Sequence, residues 1–349
     1  MNTMPHGKAE VTVGVDTHGD VHVGAVVDEL GRIIGTTSVP ADRRGYLQLV
    51  RFAEGFGTIS RVGVEGTGAY GAGLTRFLRS RGHEVVEVDR PDRKLRRARG
   101  KSDPVDAEAA ARGALSGVAS GVPKSRDGRV EMIRALRVVR RSAVRGRTQA
   151  LNQIRSLVLT GPEELRAKLG ALPTNRLVEM LIRMRPGTIT TPIAATKLAL
   201  RELALRHREL SAQIGRMDAR LEELVAQAAP RLMTLKGVGT DVAGQLLVTA
   251  GDNPERLRSE SSFAHLCGAA PLPASSGKTV RHRLNRGGDR QANQALWRIV
   301  MVRLSHDDRT MAYVARRTQE GRSKSEIIRC LKRYVAREVY ASLAQLDGT

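Results

Sequence analysis

The stretch VTVGVDTHGDVHVGAVVDELGRIIGTTSV, residues 11–39, decides the fold. It holds three β-branched runs, VTVGVD (11–16), VHVGAVVD (21–28) and RIIGTTSV (32–39), joined by short segments that include Gly19-Asp20 and Glu29-Leu30-Gly31. Such residues pack well on a pleated surface, and joins this short bring successive strands back antiparallel, so the stretch reads as a three-stranded meander. Outward from it, the pattern predicts a helix near 42–54, a strand at 61–65, a helix near 70–81, a strand at 84–88 and a helix opening at Asp103. Strands alternating with helices after a meander argue an α/β domain with a mixed sheet.

The order β-β-β-α-β-α-β-α is that of ribonuclease-H-like folds, in which the first and fourth strands are neighbours. Asp16 ends the first predicted strand and Glu65 the fourth, while Asp103 and Asp106 lie one turn apart at a helix start. The fold would bring these four carboxylates to one crevice, where they need cations to stay ionised together. Hard oxygen ligands suit Mg2+ or Mn2+. Two such metals about 4 Å apart would activate an attacking oxygen and stabilise a leaving one during phosphodiester cleavage. Each acid also has a structural reading. Asp103-Pro104-Val105-Asp106 makes a good helix opening with Asp103 as N-cap, and Asp16 before Thr17-His18-Gly19 could shape a turn. Sugar kinases and actin-like proteins share a similar opening, but they require glycine-rich phosphate loops and leave the second Asp pair unexplained.

The chain has 349 residues, enough for two modest domains and a connector, and 58 Lys and Arg against 36 Asp and Glu give a net charge of +22. A polyanionic partner follows. No apolar run approaches the roughly 18 residues that span a bilayer, so nucleic acid is favoured over a membrane. Aromatic residues are only 3%, which favours phosphate contacts over base stacking as the main recognition mode. Cys267 and Cys330 lack metal-type spacing, and the N-terminus lacks a secretory pattern, so a reducing, cytoplasmic setting is expected, with action at the nucleoid.

Residues 121–155 carry ten Lys or Arg and two acids in a helical pattern, with Arg134, Arg137, Arg141 and Arg145 on one face. So few acids favour a phosphate-tracking face over a merely solvated one. Between 196 and 224, Thr196, Leu200, Leu203, His207, Leu210, Ile214, Met217, Leu221 and Leu224 alternate spacings of four and three, a heptad seam. The basic helix or a second subunit would be its partner, and His207 is read as a register device. After Pro230 a third segment begins. LKGVG at 235–239 resembles the turn of a helix-hairpin-helix unit, with an ordinary Gly-rich helix–helix turn as the equal alternative. The expected domains are 1–120, an α/β catalytic domain; 121–229, a basic helix and long α-helical coiled-coil connector; and 230–349, a mostly α C-terminal domain.

GVDTH (14–18), GVEGTGAYG (63–71) and KSDPVDAEAAAR (101–112) resemble the Asp-Glu-Asp-Asp motifs of the insertion sequence one-ten family of transposases. LKGVGTDVAGQLL (235–247), FAHLCGAAPLPASSGK (263–278) and NRGGDRQANQALW (285–297) are similar to its C-terminal domain, so the resemblance runs from Val11 to about Leu343. It implies a RuvC-like (Holliday-junction-resolvase) form of the RNase H fold at the N-terminus and a nucleophilic serine near the C-terminus. The serine motif selects Ser276, with Ser275 as runner-up. Without the family, Ser275-Ser276-Gly277 after two prolines reads as a turn.

By that resemblance the activity is DNA transposition or recombination through a phosphoserine intermediate. The partners implied are element ends and target DNA, an element-encoded bridge RNA, and further copies of the chain as a dimer or tetramer with composite sites. Arg93, Lys94, Arg96, Arg97, Lys278, Arg281, Arg283 and Arg286 join the four α-helical arginines as expected nucleic-acid contacts, with those after Ser276 positioning the phosphate. Two alternatives stand beside this reading. A RuvC-like structure-selective endonuclease would use the carboxylates without the serine, and a non-catalytic nucleic-acid-binding protein would use neither.

Overall fold

Strands β1 (Glu10–Thr17), β2 (Val21–Val27) and β3 (Ile33–Pro40) form an antiparallel meander, and β4 (Thr58–Glu65) and β5 (Val85–Val88) extend it in parallel, giving the order β3-β2-β1-β4-β5. The first and fourth strands are neighbours, as expected. This computed structural model describes residues 9–88, 102–277 and 282–344. β1 is buried from Val11 to Thr17 on both faces, as befits a central strand covered by helices on each side.

The two faces of β1 carry different chemistry. Val11, Val13 and Val15 join Val62, Val64, Leu49, Val50, Leu74 and Leu78 in one apolar core, the last four residues coming from α1 (Arg43–Glu54) and α2 (Ala72–Ser80). Each such buried side chain contributes about 1.5–3 kcal/mol. Asp42 caps α1, its carboxylate accepting from the Gly45 amide at 2.8 Å. The opposite face is covered by α3 (Asp103–Leu115), whose Ala107, Ala110, Ala111 and Ala114 are buried. Small residues on both sides let helix and sheet approach closely. A Cβ on Gly14 would lie 2.2 Å from the Ala107 carbonyl oxygen, and one on Gly63 would lie 2.6 Å from that of Ala110.

The chain divides into two units, residues 1–127 with 250–258, and residues 128–249 with 259–349. In the second, α4 (Arg129–Thr160) and α7 (Pro192–Ala228) pack along one another, with α5 (Glu163–Leu169) and α6 (Thr174–Ile182) between them in sequence. Gly146 faces Leu210, Arg140 meets Asp218 and Gly161 faces Thr196, so the pair is antiparallel. Every residue of the expected heptad seam is buried or half-buried, and the basic helix of the same chain covers it. Leu165, Leu169, Leu177, Val178 and Leu181 close the far end over Ile154, Val158 and Leu200.

Beyond α8 (Pro230–Met233) and α9 (Thr240–Ala250), the unit continues through α10 (Glu260–Leu266), a two-residue ladder β6 (Leu272–Pro273) with β7 (His282–Arg283), α11 (Arg290–His306), α12 (Asp308–Gln319) and α13 (Lys324–Ala344). α13 packs on α10 and α11, burying Phe263, Leu296, Ile299, Val335 and Val339.

Candidate active site

The close approach of α3 to the sheet sets the geometry of the site. Gly14 and Gly63 lie beneath α3, and side chains in a strand alternate between faces, so Asp16 and Glu65, each two residues further on, belong to the same layer. The parallel register pairs Val15 with Val64, which sets the two acids side by side at the carboxyl ends of their strands. The Thr17 hydroxyl donates to the Glu65 carbonyl at 2.8 Å and ties those ends together. Ala107 and Ala111 pass over Gly14, so the N-terminal turn of α3, with Asp103 and Asp106, lies toward the same ends.

Three side chains converge there. Asp16, His18 and Asp103 each offer one ligand atom, all within 4.8 Å of one another. His18 Nε2 is 3.1 Å from Asp16 Oδ2 and 3.4 Å from Asp103 Oδ1. Asp16 is buried, whereas His18 and Asp103 are about half exposed, so the group opens to solvent on one side. Asp106 is buried at 2% exposure and Glu65 is half-buried. Neither enters the three-residue group.

Two carboxylate oxygens and an imidazole nitrogen are a donor set that fits a divalent cation, with the acids supplying the charge. The positive end of α3 favours the ionised acids of its first turn. The N-cap, however, is Ser102 and not Asp103. Ser102 has extended backbone angles (φ −149, ψ 150), its own side chain makes no capping hydrogen bond, and Asp103 is already helical. Asp103 is thereby left to face His18. Sequence reasoning passed over His18 itself, although Gly14, Asp16 and His18 share the strand's period of two.

Burial lowers the pKa of His22, opposite Thr17 in β2; its ring stacks on Tyr46 at 5.7 Å. Two further acids belong to the framework. Glu108 is buried against Arg112, and Glu87 accepts from the buried Thr67 hydroxyl at 2.5 Å.

The expected nucleic-acid contacts fall into several environments. On α4, Arg134 pairs with Glu131 at 2.7 Å, and Arg137 donates to Asp241 at 2.8 Å and Gln245 at 3.1 Å. Arg141 and Arg145 are exposed and have no carboxylate partner among the described residues. They line a cleft of about 300 Å³ with Gln245, Gln291, Gln294 and Arg298. Ser275 and Ser276 are exposed on the connection between β6 and β7, with Arg283 and Arg286 exposed on its far side. Arg93, Lys94, Arg96, Arg97, Lys278 and Arg281 lie outside the described residues. No helix among the described residues is long and apolar enough to cross a membrane.

Residues 13–161 match a family model described as a transposase of the DEDD, IS110 type, and residues 229–315 match one described as "Transposase IS116/IS110/IS902 family". A 165-residue segment, 47% of this chain, is 30% identical to 39% of the insertion element IS110 uncharacterized 43.6 kDa protein of Streptomyces coelicolor. A 154-residue segment, 43% of this chain, is 26% identical to 38% of the insertion element IS900 uncharacterized 42 kDa protein of Mycobacterium paratuberculosis. The matched segments thus span about two fifths of these relatives' lengths.

Proposed function

Since the chain belongs to the IS110 family of transposases, we propose that it cuts and rejoins DNA for an insertion element, with Asp16, Glu65, Asp103 and Asp106 at a divalent-metal centre and Ser276 as the nucleophile. The observation that carries this reading is the convergence of Asp16, His18 and Asp103 at the carboxyl ends of β1 and β4. A bound Mg2+ or Mn2+ would supply Lewis-acid stabilisation of phosphate charge. The residues themselves orient the site. Asp16 and Asp103 supply the anionic pocket, and His18 Nε2 stands beside both carboxylates as a third donor.

In the serine step, the Ser276 Oγ–P bond forms as one backbone P–O bond breaks. The hydroxyl proton leaves to water or a base, and the departing DNA oxygen takes up a proton. The ester conserves the phosphodiester's energy, so a DNA hydroxyl can attack it, release Ser276 and join a new strand. Exposure of Ser276 on the β6–β7 connection, followed by basic residues, supports the assignment. We read 1–120 as the RuvC-like catalytic segment, 121–229 as a coiled-coil connector and 230–349 as the serine-bearing segment, with the α8–α9 turn as a helix-hairpin-helix-like phosphate contact. The net charge of +22 supports DNA and a bridge RNA as partners, bound by an oligomer.

A suicide DNA substrate tests the proposal. Wild type should give a covalent adduct mapping to the peptide around Ser276, lost in Ser276→Ala. An adduct on Ser275 would reassign the nucleophile. Recombination by a Ser275→Ala, Ser276→Ala double variant would remove the serine step, and hydrolysis without rejoining would favour a structure-selective endonuclease.

A further inference from the structure

α11, α12 and α13 enclose a cleft of about 710 Å³ that none of the chemistry above uses. Its floor is apolar, made by Val300, Leu331 and Val335, which are all buried. Its walls carry two of the chain's five tyrosines. Tyr313 and Tyr334 meet edge to face, centroids 5.6 Å apart, and the Arg316 guanidinium lies over the Tyr313 ring at 5.5 Å. In a chain with so few aromatics, this cleft sets two rings and a stacked guanidinium beside one another, planar faces next to positive charge.

The charged groups around the cleft are unequal. Arg303 is buried and engaged with Glu338 at 2.7 Å and the Lys236 carbonyl at 2.8 Å. Asp307 caps α12, and hydrogen bonds from Thr310 hold its carboxyl below the usual range. Arg337 reaches Glu260 at 3.3 Å. Arg309 is exposed and has no carboxylate partner among the described residues, and Arg316 has only Glu320 at 3.9 Å. Both acids of the cleft are therefore occupied, and Arg309 and Arg316 remain to face an anion. Burial, with contributions from Cys330 and Tyr334, pushes the Tyr313 hydroxyl up to about 12, so it adds no negative charge of its own.

We propose that this cleft holds one unstacked nucleotide of a single-stranded nucleic acid, its base against Tyr313 and Tyr334 and its phosphate toward Arg309 and Arg316. A base within a duplex is covered by its neighbours and cannot enter, whereas an extruded or single-stranded one offers its face to aromatic rings and guanidinium planes. The volume lies within the about 300–1,000 Å³ of small-molecule sites. The inference rests on the nucleic-acid role proposed above and adds strand state and a binding mode to it.

The test is fluorescence anisotropy of the full chain with a labelled single strand of about ten nucleotides, within the site sizes of single-strand binders, and with the same sequence as duplex. Tyr334→Ala and Arg309→Ala should each weaken single-strand binding, the tyrosine change by about tenfold, the scale of one stacked base, and leave duplex binding unchanged. Tyr334→Phe should keep the wild-type affinity. Because Tyr334 and Arg309 are exposed, these variants should fold, which circular dichroism checks. A nucleoside monophosphate should compete with the single strand where equimolar inorganic phosphate does not. Unchanged single-strand binding by Tyr334→Ala, or equal competition by phosphate, would overturn the pocket while leaving the DNA role standing. Failure of wild type to bind either strand form would overturn both.

Discussion

His18 Nε2 lies 3.1 Å from the Asp16 carboxylate and 3.4 Å from that of Asp103, so one imidazole bridges an acid from the central strand and an acid from the helix above it. The three ligand atoms thus stand close enough together to share one cation. His18→Ala should weaken Mn2+ binding by about 10- to 100-fold, the range for groups that ligate or orient metal ligands, with little change in thermal stability because the ring is half exposed. Calorimetric titration with Mn2+ reads this directly. Wild-type affinity in the variant would remove His18 from the centre.

Gly14 is where helix and sheet come nearest. A Cβ there would meet the Ala111 amide nitrogen at 2.1 Å and the Ala107 carbonyl oxygen at 2.2 Å, both backbone atoms that cannot swing aside. Gly14→Ala should therefore cost at least about 1–3 kcal/mol, the range for overpacking, and displace the first turn of α3 from Asp16. Gly215, inside α7 with nothing within 4 Å, is the control. Gly215→Ala should stabilise by about 0.5–1 kcal/mol through helix propensity. Urea denaturation of both variants checks the pair, and equal stabilities would contradict the close packing.

Asp241 lies among Arg137, Arg140 and Arg298, at 2.8, 3.2 and 2.7 Å. Burial alone would raise its pKa, but the neighbouring guanidinium groups outweigh that and hold it below the usual carboxylate range. A depressed carboxylate contributes stability that is complete above its unfolded pKa of about 3.9 and is lost as pH falls through the lower folded value. Asp241→Asn should cost about 1–3 kcal/mol at pH 7, since it leaves the largely buried Arg137 without its counter-charge. The gap to wild type should narrow below about pH 4 as wild-type Asp241 itself protonates. A gap constant from pH 7 to pH 3 would show that charge is not what holds Asp241.

Several features of the fold could be read directly from local pattern. The meander declared itself through β-branched runs and short joins, and adjacency of β1 and β4 followed from the element order, which set Asp16 and Glu65 at neighbouring strand ends. The seam on α7 was legible as a heptad, but the choice between the basic helix and a second subunit as its cover was not, because the buried positions on α4, Ile133, Ala143, Ala150, Ile154 and Val158, keep no unbroken heptad. His18 was hidden by its place just before a hairpin, where Asp-Thr-His-Gly reads as turn chemistry. Its phase with Gly14 and Asp16 was the available signal. The choice of Ser102 over Asp103 as N-cap is a matter of one residue's backbone angles, which composition does not encode. Tyr313 and Tyr334 stand on different helices and meet only through tertiary packing.

On the arginine face of α4 the structure separates residues that spacing alone makes equivalent. Arg134 and Arg137 are satisfied by Glu131 and by Asp241 with Gln245, so a phosphate would have to displace an existing ion pair to reach them. Arg141 and Arg145, one and two turns on, are exposed beside the cleft that Arg298 and Gln294 also line. Each cation that neutralises a duplex phosphate releases condensed counterion and steepens the log–log salt dependence by about 0.9. Replacing Arg141 and Arg145 together by Gln should therefore flatten the slope for duplex DNA by about 1.8 with little effect on the melting temperature. Arg137→Gln should do the reverse, lowering stability while leaving the slope of the folded protein nearly unchanged. Filter-binding or anisotropy titrations across a salt series, paired with thermal melts, distinguish the two classes. If Arg141 and Arg145 change neither slope nor affinity, this face of α4 is only solvated and the phosphate contacts lie elsewhere on the chain.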